Sequence, residues 1–198
     1  MPDHDNLAAR KEGFRALPVQ GFTVPSQWQG QQVLLVPASP EWVELDFKSV
    51  IESRSKLKHL FGPDDTWPPD NLDISMNSAD LAWHAREFES RRSFAYHLLS
   101  HDKQNCLGCL YIYPTASTRH QAEAYLWTHI SLSTERARLI EDEIINWITR
   151  HWPIEAIAWP GRLIPFSRWE QAAIPNYYAT MRMVQNPALD DPSTRLKL

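Results

Sequence analysis

The chain has 198 residues, enough for one sizeable domain and too few for two full ones. Hydrophobic residues make up 43% and charged residues 22%, a globular balance, and no apolar stretch approaches the roughly 20 residues of a membrane helix. The net charge of −4 is spread without a basic block, so neither nucleic acid nor a membrane surface is an expected partner.

Residues 1–30 are polar, with scattered proline and glycine, and read as an N-terminal arm that is partly helical at 6–16. The start of the arm lacks an apolar signal core, so a cytoplasmic location is expected. The short apolar run 32–37 (QVLLVP) predicts a strand. Ser39, Pro40 and Glu41 then open a helix, with a capping hydroxyl, a proline suited to the first helical position and an acid at the positive helix end. Its apolar face runs from Trp42 to Val50 and the helix reaches about Ser53, with a second helical stretch at 54–61. Residues 62–72 (GPDDTWPPDNL) hold three prolines and three aspartates and predict a loop. Asn77 and Ser78 are caps for a helix from Ala79 to about Arg91.

From Ser93 the period changes to two. Strands are predicted at 93–100, 106–114 and 122–131, the first two joined as a hairpin through His101–Gln104. Gly108 interrupts the second and marks a bulge. In the third, Ala122, Ala124, Leu126, Thr128 and Ile130 face one way, and Glu123, Tyr125, Trp127 and His129 the other. The segment 134–151 is an amphipathic helix with Ala137, Ile140, Ile144, Trp147 and Ile148 as its buried stripe; Ser133 or Thr134 caps it and Pro153 ends it. A strand at 154–159, a short helix at 167–173, a final strand at 177–184 and a tail at 186–198 complete the chain. The elements predict one α/β domain over 31–185, with a mixed, mostly antiparallel sheet flanked by helices.

The order of a helix-rich first half, a hairpin with an apolar-glycine step (Leu107-Gly108), a strand, a long amphipathic helix and a strand resembles the GNAT superfamily over roughly residues 32–185. The resemblance implies an acyl-CoA-dependent N-acyltransferase that moves an acetyl group from acetyl-CoA to a small-molecule amine, with homodimers frequent in the family. It places pantetheine between the strands at 122–131 and 154–159, against backbone such as that of Thr128 and Ile130. It places pyrophosphate on the amides of an Arg/Gln-x-x-Gly-x-Gly/Ala loop, where glycines allow close approach and a helix start offers open N–H groups. This chain departs from the pattern there: Ser131-Leu132-Ser133-Thr134-Glu135-Arg136-Ala137 has no glycine, and Glu135 adds negative charge. Ser131, Ser133, Thr134, Arg136 and Arg138 are the remaining candidates to hold phosphate. A second expectation follows from the departure, a GNAT-like domain that no longer catalyses and serves as a small-ligand binder or interaction module.

Transfer to an amine needs a proton acceptor for the amine and a donor for the leaving thiolate. Glu123 and His129 share a face of one strand and are candidate bases, imidazole being a side chain suited to proton transfer near neutral pH; His129 is also read as a histidine satisfied by a surface hydrogen bond. By resemblance, Tyr177 or Tyr178 stands where the family's acid tyrosine lies; both also read as packing residues. Cys106 and Cys109, the two cysteines, sit three apart in a strand and should point to opposite faces, as buried structural thiols without a metal. Asp80, His84 and Glu87 share a helix face that either ligates a metal or, as the preferred reading, is solvated, with Glu87 pairing Arg91. The aspartates between Asp64 and Asp73, beside Trp67, either receive a cationic amine or cover the core.

Overall fold

In the computed structural model, which describes residues 13–185, six strands lie side by side in chain order. They are β1 (Trp28–Gln29), β2 (Leu34–Pro37), β3 (Phe94–Leu99), β4 (Cys106–Tyr113), β5 (Ala122–Thr128) and β6 (Ile157–Ala158). All neighbours pair antiparallel except β5 and β6, which are parallel. Among the described residues there are five α-helices: α1 (Val43–Leu57), α2 (Ile74–Glu89), α3 (Thr134–His151), α4 (Phe166–Glu170) and α5 (Tyr177–Gln185). This is the expected α/β architecture, a mostly antiparallel sheet with helices on both sides.

Alternation along the strands divides two cores. On one face, Ala122, Ala124 and Leu126 of β5 pack with Ile140, Ile144, Trp147 and Ile148 of α3. On the other, Tyr125 and Trp127 of β5 join residues of α1, α2 and α5. The β5 faces and the α3 stripe match the periodicity of the sequence, except that Ala137 is only half-buried. α3 occupies its predicted span, with Ser133 Oγ accepting from the Arg136 N–H at 3.2 Å.

The structure corrects several expectations. Residues 177–185 form a helix, not a strand: Tyr177, Tyr178 and Met181 are buried at helical spacing against the α2 side of the sheet. α2 starts at Ile74, five residues before the expected start, because Asp73 Oδ1 caps it by accepting from the Met76 N–H at 2.8 Å. Asn77, expected as a cap, is buried and donates to Asp46 Oδ2 at 2.8 Å. α1 runs unbroken to Leu57, and β6 is only two residues long. The face of His84 and Glu87 is buried, not solvated, and Glu87 pairs with Arg92 instead of Arg91. Residues 13–16 are not helical, since Arg15 bridges Thr115; the rest of the 6–16 stretch and the tail at 186–198 lie outside the described residues.

The cysteines also break the expected parity. Leu98 stands opposite Gly108 and Leu99 opposite Cys106, so Leu107 is an extra residue in β4. The bulge is where the sequence placed it, and it turns Cys106 onto the same face as Cys109, Tyr111 and Tyr113. Gly108 has φ +146, and a Cβ there would run into the Trp127 carbonyl oxygen.

Candidate functional site between β5 and β6

β5 and β6 are paired over two positions, Ala122 with Ile157 and Glu123 with Ala158. Past Ala158, Pro160-Gly161 turns the second chain away, while β5 continues to Thr128 and α3 begins at Thr134 beyond the open end. The space left is a cleft of about 220 Å3, lined by Lys56, Tyr125, Trp127, Glu141, Arg162 and Phe166 among others.

The free edge of β5 already has partners. Arg162 Nη2 donates to the Leu126 carbonyl at 3.1 Å, and its Nη1 pairs with Glu141. Lys56 Nζ, reaching over from α1, donates to the carbonyl and hydroxyl of Thr128, each at 2.9 Å. The Ile130 N–H donates to Ser53 Oγ at 3.1 Å. Burial lowers the Lys56 pKa, opposed by Glu141 and reinforced by Arg162. Lys56, Lys58 and Arg162 thus line the cleft together with the carboxylate of Glu141. Large aromatic side chains do not fill it: Trp127 turns into the core, where its Nε1 donates to Tyr111 Oη at 3.3 Å, and Trp159 packs on the α3 side.

The predicted site residues fall into two groups. Ser131, Ser133, Thr134, Arg136 and Arg138 are exposed around the start of α3, where Arg138 pairs with Asp142 at 2.9 Å. His129 stands with them: its Nε2 meets Glu52 Oε2 at 2.9 Å and its Nδ1 meets Ser131 Oγ at 2.8 Å. Glu123 is six residues away on β5, roughly 20 Å at about 3.3 Å per residue, so these two cannot serve one reacting atom.

Glu123 is fully buried and lies where β5 and β6 are still paired. It accepts from Thr115 Oγ1 at 3.2 Å, from Tyr125 Oη at 3.4 Å and from the Tyr177 N–H at 3.4 Å. Burial outweighs these donors and pushes its pKa up to about 8. Asn176 Nδ2 donates to Tyr125 Oη at 3.0 Å. Tyr177 and Tyr178 are brought near Glu123, but their hydroxyls are committed elsewhere: Tyr177 donates to Glu87 Oε2 at 2.7 Å and Tyr178 to Asp80 Oδ1 at 2.9 Å.

A second groove, of about 510 Å3, opens beside the cleft and carries Asp64, Asp65, Glu170 and Asn176. Phe166 lines both spaces. Asp64 and Asp65 of the acidic loop line this groove and not the cleft itself, and Asp65 is held by Arg182 at 3.5 Å. Sequence reasoning missed Lys56, Glu141, Arg162 and Asn176. Each comes from a segment read for helix or turn alone; the Pro-Gly-Arg turn after the last strand was the signal available.

The sequence matches no protein-family model and no curated protein. The fold does match solved structures. A ribosomal-protein-S5-alanine acetyltransferase from Vibrio fischeri aligns at TM-score 0.52 and 10% identity over 74% of this chain and 80% of that one. An acetyltransferase from Salmonella typhimurium that modifies the N-terminal serine of 50S ribosomal subunit protein L7/L12 aligns at 0.51 and 11% over 66% and 71%. A microcin C7 self-immunity acetyltransferase in complex with acetyl-CoA and AMP aligns at 0.50 and 10% over 63% and 67%. No helix among the described residues is long and apolar enough to cross a membrane. With its chain-order sheet and parallel last pair opening into a cleft, this chain has the GNAT acyl-CoA N-acyltransferase fold.

Proposed function

We propose that the chain is an acyl-CoA-dependent N-acyltransferase that uses the β5/β6 cleft for its thioester substrate and a small amine as acceptor. The observation that carries this reading is the parting of β5 from β6 after two residue pairs, with a cleft between them and α3 starting beyond its open end. Solved structures of the same fold are acetyltransferases, one of them holding acetyl-CoA.

The residues fit an extended arm ending in phosphates, though not through glycine-spaced amides. The Leu126 and Thr128 carbonyls are held by flexible cationic side chains that can hand them to an amide of the arm. Lys56 and Arg162, once released, face the phosphates, with Arg136 at the first turn of α3 on the outer side. The acceptor enters by the neighbouring groove, where Asp64 and Glu170 favour a cation.

The thioester supplies an activated carbonyl carbon. The amine nitrogen attacks that carbon, the carbon–sulfur bond breaks, and one amine proton must leave. Tyr125 lines the cleft and bonds Glu123 through its hydroxyl, so the proton passes to Tyr125 Oη as the Tyr125 proton passes to Glu123. The same path returns a proton to the thiolate. A base with a pKa of about 8 is roughly one-tenth ionised at neutral pH and half ionised at pH 8, so turnover should rise through that range. His129, Tyr177 and Tyr178 have no part in this route.

The test is thiol release from acetyl-CoA across a panel of primary amines. Turnover that rises with an apparent pKa near 8 and is lost in Glu123→Gln supports the route. A pH-independent rate, or a Glu123→Gln variant with full activity, removes Glu123. A second reading, a GNAT-fold module without catalysis, is favoured by one observation: Leu126, Thr128 and Ile130 already have intramolecular partners. A folded chain that consumes no thioester with any amine selects that reading.

A further inference from the structure

On the far side of β5 from α3, four side chains that share no sequence motif converge. Asp46 comes from α1, His97 from β3, and Cys106 and Cys109 from β4; one ligand atom of each lies within 4.8 Å of all the others, and all four residues are buried. Neither the cleft nor the proton route touches them.

The three edges among Asp46, His97 and Cys109 have the size of those in a coordination polyhedron, and Cys106 stands within 4.8 Å of each of these ligands. His97 Nδ1 is 3.3 Å from Asp46 Oδ1, Cys109 Sγ is 3.3 Å from Asp46 Oδ1, and Cys109 Sγ is 3.5 Å from His97 Nδ1. A tetrahedron with metal–sulfur bonds of about 2.3 Å and metal–nitrogen or metal–oxygen bonds of about 2.0–2.1 Å has N···O edges of about 3.3 Å and S···N or S···O edges of about 3.5 Å. We infer that Asp46, His97, Cys106 and Cys109 form a closed, four-coordinate zinc-class metal site that pins α1 to β3 and β4.

The chemistry of the donors agrees. Two thiolates, a carboxylate and a neutral imidazole carry three negative charges, which a divalent ion reduces to one. Binding displaces the thiol protons to solvent and uses the Nδ1 lone pair of His97. The surrounding bonds orient the ligands as a second layer does in metal sites. Asn77 Nδ2 holds Asp46 Oδ2 at 2.8 Å and leaves Oδ1 toward the cluster. Ser49 Oγ holds the Cys106 carbonyl at 2.9 Å, tying the same helix to the same strand. His97 Nε2 has no hydrogen-bond partner among the described residues, so the ring is fixed from its Nδ1 side.

The bulge has a purpose on this reading. In a regular strand, with Leu107 paired, Cys106 would point to the α3 face and the site would have three donors. With no open position and no solvent access, the site is structural.

The test uses the full chain, purified reduced and without oxygen, then incubated with zinc and desalted. Elemental analysis should find about one zinc per chain, and cobalt substitution should give the thiolate-to-cobalt charge-transfer bands and strong visible bands of a tetrahedral site. Cys109→Ser should abolish the charge-transfer intensity or halve it. Because that variant can fail to fold, Asp46→Asn is measured beside it, with an expected loss of at least about tenfold in zinc affinity. Folded, reduced chain that takes up no zinc overturns the site and leaves a hydrogen-bonded thiol–imidazole–carboxylate core. A Cys106–Cys109 disulfide in the oxygen-free protein, or bound cobalt without thiolate bands, overturns it as well. None of these readings involves thioester or amine, so the site stands or falls apart from the acyltransferase reading.

Discussion

The two sides of β5 use polar residues in opposite ways. Along its free edge, the cleft is lined by side chains from distant segments: Lys56 and Arg162 hold the Thr128 and Leu126 carbonyls, and Glu141 pairs with Arg162. On the face toward α1, α2 and α5, Glu87, His84, Glu123 and five tyrosines are locked into a dense aromatic core. His84 stacks on Tyr178 at 5.7 Å, and Phe61 touches Tyr111, Tyr113, Tyr125 and Tyr178. Apart from Glu123 and Tyr125, which carry the proposed proton route, residue types that suggest chemistry are thus concentrated where they stabilise the fold. The cleft depends on charges that can move. A fully buried charge with several partners is expensive to disturb, whereas a partly exposed cation with two partners is less so.

The sharpest way to break this contrast is Glu87→Ala. Glu87 is fully buried and accepts from Arg92 Nε at 2.7 Å, Ser93 Oγ at 3.2 Å and Tyr177 Oη at 2.7 Å. Its removal strands these donors and should cost about 3–5 kcal/mol in urea unfolding. A loss below about 1 kcal/mol, typical of an exposed pair, would place Glu87 on the wrong side of the comparison. Next comes Gly108→Ala, which should cost about 3 kcal/mol or more, since a Cβ meets backbone and the glycine φ is +146.

Glu123→Gln sharpens the contrast through pH. A carboxyl whose folded pKa is raised from 4.5 to about 8 keeps its proton in the folded chain after the unfolded chain has lost it. Stability should therefore fall as pH rises from about 4.5 to about 8, by on the order of 2–5 kcal/mol, and stay level above that for this group. Glutamine carries no such proton, so Glu123→Gln should flatten that part of the curve. An unchanged slope in the variant assigns the pH dependence elsewhere. At the cleft, Arg162→Ala should change stability by about 1 kcal/mol or less, but acetyl-CoA affinity about tenfold.

The fold was legible where one period dominated. β3, β4, β5 and α3 were read within a few residues, because alternation or a 3.6-residue stripe was continuous and tertiary packing agreed with it. Tyr177–Val184 failed for a physical reason: its β-favouring composition suggests a strand, yet Tyr177, Tyr178 and Met181 bury as one helical stripe. The cysteines failed because one inserted residue inverts the parity of everything before it; Gly108 signalled the bulge, but its effect on Cys106 depends on the partner register. The solvated reading of His84 and Glu87 failed because the tyrosines that satisfy Glu87 and stack on His84 arrive from the far end of the chain. The cleft was legible as a place, between the third and last predicted strands, but not as chemistry. Its cations come from the end of α1 and from the turn after β6, and no local pattern ties them to β5.

The most direct measurement is calorimetric titration of the purified chain with acetyl-CoA, repeated with Arg162→Ala and Arg136→Glu. The expected result is binding at micromolar strength that Arg162→Ala weakens about tenfold and Arg136→Glu weakens further at low salt. A folded chain that binds no acetyl-CoA at millimolar concentration would contradict the assignment of the β5/β6 cleft to a thioester substrate.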